Sequence, residues 1–161
     1  EVRKTYHALV LGEVRDSGEV KLALAPDPRQ EGRMIGVAKG GKASLTVYEP
    51  LEIFRGFTLL KVTPKTGRTH QIRVHLASIG HPLAVDSAYG GGSDLRLSKM
   101  KRGYRPKKGR EEKPLITRTT LHAARLEWNG LDSTTTVVEA PWPADFALAI
   151  KQMRRWRVKS V

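Results

Sequence analysis

The sequence of 161 residues contains no cysteine, which excludes disulfide bonds, thiolate catalysis and thiolate-ligated zinc sites. It also lacks an apolar run near the roughly 18 residues that a membrane-spanning helix needs. The N-terminus shows no basic start followed by an apolar stretch. Neither membrane insertion nor secretion is therefore indicated. A chain without cysteine suits a reducing compartment, so we expect it in the cytoplasm.

Acidic residues are scarce as well, because 16 Asp and Glu stand against 29 Lys and Arg, with a net charge of +13. The electrostatic field of this positive charge attracts polyanions, and nucleic acid is the leading class of partner. Basic residues cluster within residues 91–114, a stretch of low hydrophobicity that Gly and Pro interrupt. We interpret it as a mobile surface loop inserted between packed elements. The alternative is a solvated face that aids solubility.

The distribution of apolar residues predicts one domain of the α+β class, a mixed and mostly antiparallel sheet with a few helices. Hairpin-like spacing favours antiparallel pairing, and Asn129-Gly130 is a strong turn signal between the last two strands. The predicted strands cover residues 4–12, 20–24, 33–37, 43–48, 57–62, 120–128 and 134–139. We expect the first strand to be buried on both faces.

Two helices are predicted where the spacing of apolar residues changes from the alternation typical of strands to helical intervals. The first spans Thr69 to Ile79, with Thr69 as N-cap and Gly80 at the far end. The second opens at Pro143, and its apolar stripe is formed by Phe146, Ile150 and Met153.

Polar side chains crowd the start of the first predicted helix. A helix N-terminus carries unpaired N–H groups and a partial positive charge, so Arg68 and His70 beside it suit a phosphate. His70 and His75 have no acidic companion at ligand spacing, and we expect no metal site. The alternative is a capped helix whose arginine pairs with an internal acid.

The stretch from residue 67 to residue 90, GRTHQIRVHLASIGHPLAVDSAYG, resembles the signature of RluA-like pseudouridine synthases, whose usual form is GRTHQIRVHxxxxGHPIxGDxxYG. Two shorter stretches, 4–10 (KTYHALV) and 121–123 (LHA), also lie where that family would have them. A sister family shares Gly-Arg-x-His-Gln without the Gly-His-Pro continuation, so the RluA-like assignment is preferred. The resemblance implies that residues 1–161 are the C-terminal part of one catalytic domain.

The resemblance implies that the partner is RNA, either ribosomal or transfer RNA, and that a flipped uridine is isomerised to pseudouridine by a monomer without metal or cofactor. Tyr6 matches the family's active-site tyrosine against the uracil ring. Arg73 matches the arginine that pairs with the catalytic aspartate. Asp86 and Tyr89 are interpreted as structural members of the turn after the helix.

RNA contacts are expected from two groups of residues, with Leu121 and His122 interpreted as packing residues. The first group follows Gly67, and the second belongs to the basic loop. The residues concerned are Arg68, Thr69, His70, Gln71, Lys101, Arg102, Arg105, Lys107 and Lys108.

The family's catalytic aspartate lies in a His-Arg-Leu-Asp segment before the Lys-x-Tyr strand, and this sequence has no such segment. The nearest imitation, around Asp132, lies far downstream. We expect the aspartate upstream of residue 1, as after truncation, so this chain alone should bind RNA weakly and catalyse nothing. The alternatives are a noncatalytic RNA-binding module and a degenerate synthase that acts as an RNA chaperone.

Overall fold

A computed structural model describes residues 2–131 and 134–158 of the chain. Its elements follow in chain order: β1 Val2–Leu11, β2 Gly18–Lys21, β3 Ala23–Pro26, β4 Met34–Val37, β5 Leu45–Phe54, β6 Phe57–Pro64, α1 Gln71–Ser78, α2 Leu97–Met100, β7 Leu121–Asn129, β8 Thr135–Glu139 and α3 Ala144–Trp156. A short 3₁₀ turn lies at Ser87–Tyr89. Asp132 lies outside the described residues.

The main sheet has six strands in the order β2-β5-β6-β1-β7-β8, and β3 and β4 form a separate hairpin. All its strand pairs are antiparallel. The predicted α+β class with a mostly antiparallel sheet is therefore confirmed. The tight β5–β6 turn uses Gly56 at φ 78, a value that glycine adopts without strain.

Strand β1 lies between β6 and β7 and separates two layers of the core. Ala8 and Val10 pack in the cluster that includes α1, whereas Leu9 packs in the cluster that includes α3. Alternate side chains of a strand point to opposite faces, so α1 and α3 cover opposite sides of the sheet. Burial on both faces is confirmed for this half of β1, but its first three residues are exposed.

Two predicted strands differ from the structure. Residues 20–24 divide at Leu22, because β2 pairs with β5 while β3 pairs with β4. Strand β5 continues through Pro50 to Phe54, and its register with β6 shifts between Pro50 and Glu52. Proline has no N–H for a ladder, and a bulge tolerates it inside a strand.

Helix α1 begins at Gln71, so the prediction of Thr69 as N-cap is wrong. His70 occupies the N-cap position with φ 52, and no side chain caps the helix. The left-handed turn at His70 stops the helix from extending back to Thr69. The predicted end is confirmed, because Gly80 has φ 82 and donates its N–H to the Ala77 carbonyl oxygen at 3.0 Å.

The first part of the basic loop is packed, contrary to the expectation that residues 91–114 bury too little surface to be ordered. Leu95 and Met100 belong to the core beside α3, and Leu95 forms a bridge with Ile116. Two well-placed apolar residues thus anchor a segment whose average hydrophobicity is low. This anchor lies on the face of the sheet opposite α1.

Helix α3 confirms the predicted terminal helix and its apolar stripe, with Phe146, Ile150 and Met153 buried. Its first turn carries Asp145, and acidic charge near a helix N-terminus is stabilising. Across the described ranges, the model contains no helix that is both long enough and apolar enough to cross a membrane.

Candidate active site

A cleft of about 390 Å³ opens on the α1 side of the sheet, between the start of β1 and the N-terminus of α1. Its lining brings together five residues predicted for the site: Tyr6, Arg68, His70, Gln71 and Arg73. The β1–β7 register shifts between Thr5 and Tyr6, and such an irregularity re-aims a side chain. Strand β1 and helix α1 thus hold an aromatic ring and several cations around one space.

Arg73 is held by Asp86 in a bidentate ion pair. The Arg73 Nε and Nη2 groups donate to the two carboxylate oxygens of Asp86, each at 2.7 Å. The Asp86 side chain is only 1% exposed and that of Arg73 is 20% exposed. The hydrogen bonds that Arg73 donates to Asp86 raise the pKa of Arg73 above its already high usual value. Arg73 is therefore charged and fixed in orientation before any ligand arrives.

His70 is the only residue other than glycine with positive φ among residues 2–131 and 134–158. Its Nδ1 atom lies 2.7 Å from the Tyr89 hydroxyl oxygen. Burial lowers the pKa of His70, the positive charge of Arg73 lowers it further, and Asp86 opposes both effects. At pH 7 His70 is therefore mainly neutral, so it would contact RNA through a hydrogen bond and not as a cation, and its role in RNA binding stays a prediction.

Gln71 has a structural role, which corrects its prediction as an RNA-binding residue. Its amide nitrogen donates to the Leu45 carbonyl oxygen at 2.9 Å and to Thr46 Oγ1 at 3.0 Å. Its amide oxygen accepts from Thr66 Oγ1 at 2.7 Å and from the Arg68 N–H at 3.1 Å. All its hydrogen-bonding groups are occupied, so none remains for RNA.

The charge of the cleft has one sign. Among residues 2–131 and 134–158, its lining contains Lys4, Lys65, Arg68 and Arg73 but no aspartate or glutamate. The nearby Asp86 cannot act as a nucleophile, because its two oxygens are bound to Arg73 and its side chain is buried. In the part of the chain that the structure describes, no group of three or more His, Cys, Asp or Glu residues could hold a metal ion. The cleft therefore suits an anionic ligand.

Comparison with known proteins identifies the family of this chain. The model of the RNA pseudouridylate synthase family matches residues 1–78. The ribosomal large subunit pseudouridine synthase D of Nitrosomonas europaea is 38% identical over 162 residues, which cover 99% of this chain and 43% of that protein. The protein of the same name from Haemophilus ducreyi is 36% identical and covers 95% of this chain and 45% of the relative. The chain belongs to the RNA pseudouridine synthase family.

Solved structures of this family agree with the fold. The human RNA pseudouridylate synthase domain-containing protein 1 superposes with a TM-score of 0.64 at 30% identity, over 88% of this chain and 55% of that chain. The human domain-containing protein 4 gives a TM-score of 0.70 over 95% of this chain and 62% of that chain. At 22% identity, the second comparison supports the fold alone. The RluA-like resemblance of the sequence is confirmed, and the chain spans less than half the length of these curated relatives.

Other predicted RNA-binding residues of this chain do not line the cleft. Thr69 is exposed next to it, and the loop residues are anchored across the sheet beside α3. The Lys101 ammonium lies 4.4 Å from the centre of the Trp156 ring on α3. The remaining loop residues, Arg102, Arg105, Lys107 and Lys108, are exposed. The two predicted groups therefore occupy different faces of the domain.

Sequence reasoning missed the partners of the site residues. Asp86 and Tyr89 were expected only to shape a turn, whereas they contact Arg73 and His70 directly. The sequence did contain a signal for these contacts, because Asp86 and Tyr89 lie in the same signature stretch, residues 67–90, as Arg73 and His70. His122 does pack as expected, and its Nε2 atom lies 3.0 Å from the Ala140 carbonyl oxygen. Leu121 packs in the cluster beneath the cleft and also lines it.

A second, wider groove lies across the sheet from Tyr6 and includes His7. The Trp142 Nε1–H group donates to His7 Nδ1 at 2.7 Å. Burial lowers the pKa of His7, with smaller contributions from His122 and Lys61. Both signs of charge line this groove, and Arg125 is paired with Glu139 at 2.8 Å. Such mixed charge does not favour a polyanion as the first cleft does.

Proposed function

We propose that the full-length protein containing this chain isomerises uridine to pseudouridine in RNA, with the target base flipped into the cleft beside Tyr6. The observation that carries this proposal is that Tyr6 and the oriented Arg73 line one cleft whose described residues are cationic and include no acid. Flipping a base costs a few kcal/mol of unstacking. An aromatic face offsets that cost by roughly 1–3 kcal/mol per base, which gives Tyr6 its role.

Arg73 retains capacity for a second anion in this proposal. Asp86 occupies Nε and Nη2, and no described residue accepts a hydrogen bond from Nη1. A guanidinium has five N–H groups, so one carboxylate does not saturate it. The remaining donors can hold the catalytic aspartate, which we propose comes from a segment upstream of Tyr6. Among the residues that the structure describes, none in the cleft lining carries a carboxylate that could take that role.

The reaction breaks the N1–C1′ glycosidic bond, rotates the base and forms a C5–C1′ bond. The base loses the proton at C5 and gains one at N1, so atoms and electrons balance without an external oxidant or reductant. The proposed aspartate supplies the nucleophile. Tyr6 supports the base, and Arg73 keeps the carboxylate ionised and aimed. The names of the curated relatives favour ribosomal RNA of the large subunit as the substrate class.

The basic loop has a separate role in this proposal. Its exposed cations, anchored across the sheet from the cleft, attract phosphates outside the target nucleotide. Such contacts raise affinity without reading sequence. The net charge of +13 supports the same division, with chemistry at the cleft and electrostatic attraction over a wider surface.

Pseudouridine formation by the full-length protein on ribosomal RNA of its own cell tests the proposal. We expect turnover with EDTA present, because the proposed chemistry requires no metal. Arg73→Ala should abolish turnover while RNA affinity falls modestly, and Arg118→Ala, an exposed ion-paired arginine, is the control. Turnover by Arg73→Ala at the control rate, or loss of activity in EDTA that a divalent metal restores on folded RNA, would contradict the proposal.

The chain of 161 residues alone should bind RNA weakly and form no pseudouridine. Phosphate attraction depends on cations that the chain contains, whereas catalysis depends on a carboxylate that is absent from the described lining of its cleft. Product analysis of this chain, with its mass verified, checks the expectation. Multiple turnovers by the chain alone would mean that a carboxylate within it serves the reaction, and Asp132 would be the first to replace. A full-length protein that binds RNA but never turns over would instead be the noncatalytic module.

A further inference from the structure

The Tyr89 hydroxyl connects the β3–β4 hairpin with the wall of the cleft. Its oxygen accepts the Met34 backbone N–H at 2.9 Å and lies 2.7 Å from His70 Nδ1. The Tyr89 side chain is buried, with 7% exposure. The guanidinium of Arg73 packs over its ring at 4.7 Å from the ring centre. One tyrosine thus contacts both His70 and Arg73, two residues of the cleft wall near the start of α1.

The position of one proton follows from these contacts. A tyrosine hydroxyl has a single hydrogen to donate, and a buried donor without an acceptor costs free energy. Within residues 2–131 and 134–158, the one acceptor recorded near this hydroxyl is His70 Nδ1. The Met34 N–H already occupies one lone pair of the hydroxyl oxygen. The Tyr89 O–H group therefore donates to Nδ1, which must be unprotonated, and the imidazole proton resides on Nε2.

The backbone supports a functional reason for this arrangement. His70 adopts φ 52, an uncommon conformation for a residue with a side chain and one that clusters at functional sites. This conformation places the ring between Tyr89 and the cleft, which His70 lines. No described residue forms a hydrogen bond with Nε2. The donor on Nε2 is consequently left for a ligand.

We infer that Tyr89 is a positioning residue that fixes His70 as the Nε2–H tautomer, so that His70 offers one neutral hydrogen-bond donor to an oxygen of the nucleotide in the cleft. This inference rests on the proposed function for the identity of its ligand, an RNA nucleotide. The tautomer itself does not depend on that function. The acceptor is an oxygen of either the base or the sugar-phosphate backbone.

Nitrogen NMR of the full-length protein with ¹⁵N-labelled histidine tests the tautomer directly. At pH 7, we expect His70 to show an unprotonated Nδ1 and a protonated Nε2. Tyr89→Phe removes the donor and should give a mixture of the two tautomers. A protonated Nδ1 in the wild-type protein, or an unchanged tautomer in Tyr89→Phe, would overturn the inference. This measurement needs no turnover, so it separates failure of the inference from failure of the proposed function.

Two substitutions of His70 test whether its Nε2–H group donates a hydrogen bond to the nucleotide. The Gln amide nitrogen can occupy the position of imidazole Nε2, whereas the Asn amide nitrogen corresponds to Nδ1. Asn tolerates positive φ better than Gln, so backbone strain predicts the opposite order of harm. We expect His70→Gln to keep near-normal affinity or kcat and His70→Asn to lose about 2- to 10-fold, the range for one hydrogen bond. Equal loss in both variants would overturn the donor role.

The same pair of variants identifies the acceptor. After the target uridine is mapped, binding is compared between RNA with uridine and RNA with an abasic nucleotide at that position. A penalty in His70→Asn that disappears with the abasic RNA assigns the base oxygen. A penalty that persists assigns the sugar-phosphate backbone. Both results support a donor at Nε2, whereas the absence of a penalty on either RNA and an unchanged kcat would overturn it.

Discussion

Replacing Asp86 with Asn tests whether the ion pair beneath the cleft stabilises the fold as well as orienting Arg73. The substitution keeps the size of the side chain but removes its charge and turns one acceptor into a donor. That donor faces a guanidinium with no lone pair to offer. Arg73, with 20% exposure, is left largely desolvated beside a neutral partner.

The magnitude follows from burial. Removing one partner of a buried ion pair costs about 3–5 kcal/mol, and the partial exposure of Arg73 reduces our expectation to about 2–4 kcal/mol. The pair between Arg118 and Asp145 is a matched control, because it is also bidentate, at 2.9 and 2.8 Å, but its side chains are 41% and 34% exposed. Asp145→Asn should cost less than about 1 kcal/mol.

Urea unfolding of both variants at pH 7 measures the two free energies by linear extrapolation. The wild-type m value should be retained in both, which shows that the same surface is exposed on unfolding. If Asp86→Asn and Asp145→Asn lower the free energy of unfolding by amounts that agree within about 0.5 kcal/mol, the reasoning is refuted, because burial then has no influence on the strength of the ion pair.

Three further expectations concern pH, charge and packing. Burial lowers the pKa values of His7, His70 and His75 below their usual 6.5, so the unfolded chain binds protons that the folded chain does not. Stability should be constant well above pH 6.5 and fall as the pH drops through that value, and an unchanged urea midpoint from pH 7 to 5 would contradict this. Neutralising the four basic residues within 102–108 should reduce the salt slope of RNA binding by about one unit per lost phosphate contact, whereas Arg73→Ala should hardly change it. Phe146→Ala, at a buried position, should cost about 3–5 kcal/mol in urea unfolding.

Local chemistry made part of the fold predictable. The stripe through Phe146 identified α3, and Gly80 identified the end of α1, because both signals act within a few residues. The α+β class followed from such local periods. Strand limits were less accurate, since β5 continues past Pro50 only because a bulge lets β6 pair beyond it.

Contacts between distant parts of the chain were not predictable in the same way. Gln71 is a polar residue of a type that often contacts RNA, yet its amide nitrogen donates to the Leu45 carbonyl and the Thr46 hydroxyl. Only the tertiary fold brings those groups to it. The packing of the basic loop was also not predictable, because the low average hydrophobicity of the stretch does not show that Leu95 and Met100 are buried in the core. Composition describes a segment as a whole, whereas burial depends on single residues.

The arrangement around Arg73 connects stability with the proposed chemistry. Asp86 accepts hydrogen bonds from the Nε and Nη2 groups on one edge of the guanidinium, at 2.7 Å each, and the Tyr89 ring lies against it. These contacts remove the freedom of a long side chain before RNA arrives, so the entropy of ordering is lost on folding and not on binding. Because Asp86 already neutralises one charge, the cleft keeps its attraction for anions through Lys4, Lys65 and Arg68. A carboxylate that entered this cleft would therefore meet an oriented donor in a cationic field, which favours its ionised, nucleophilic form.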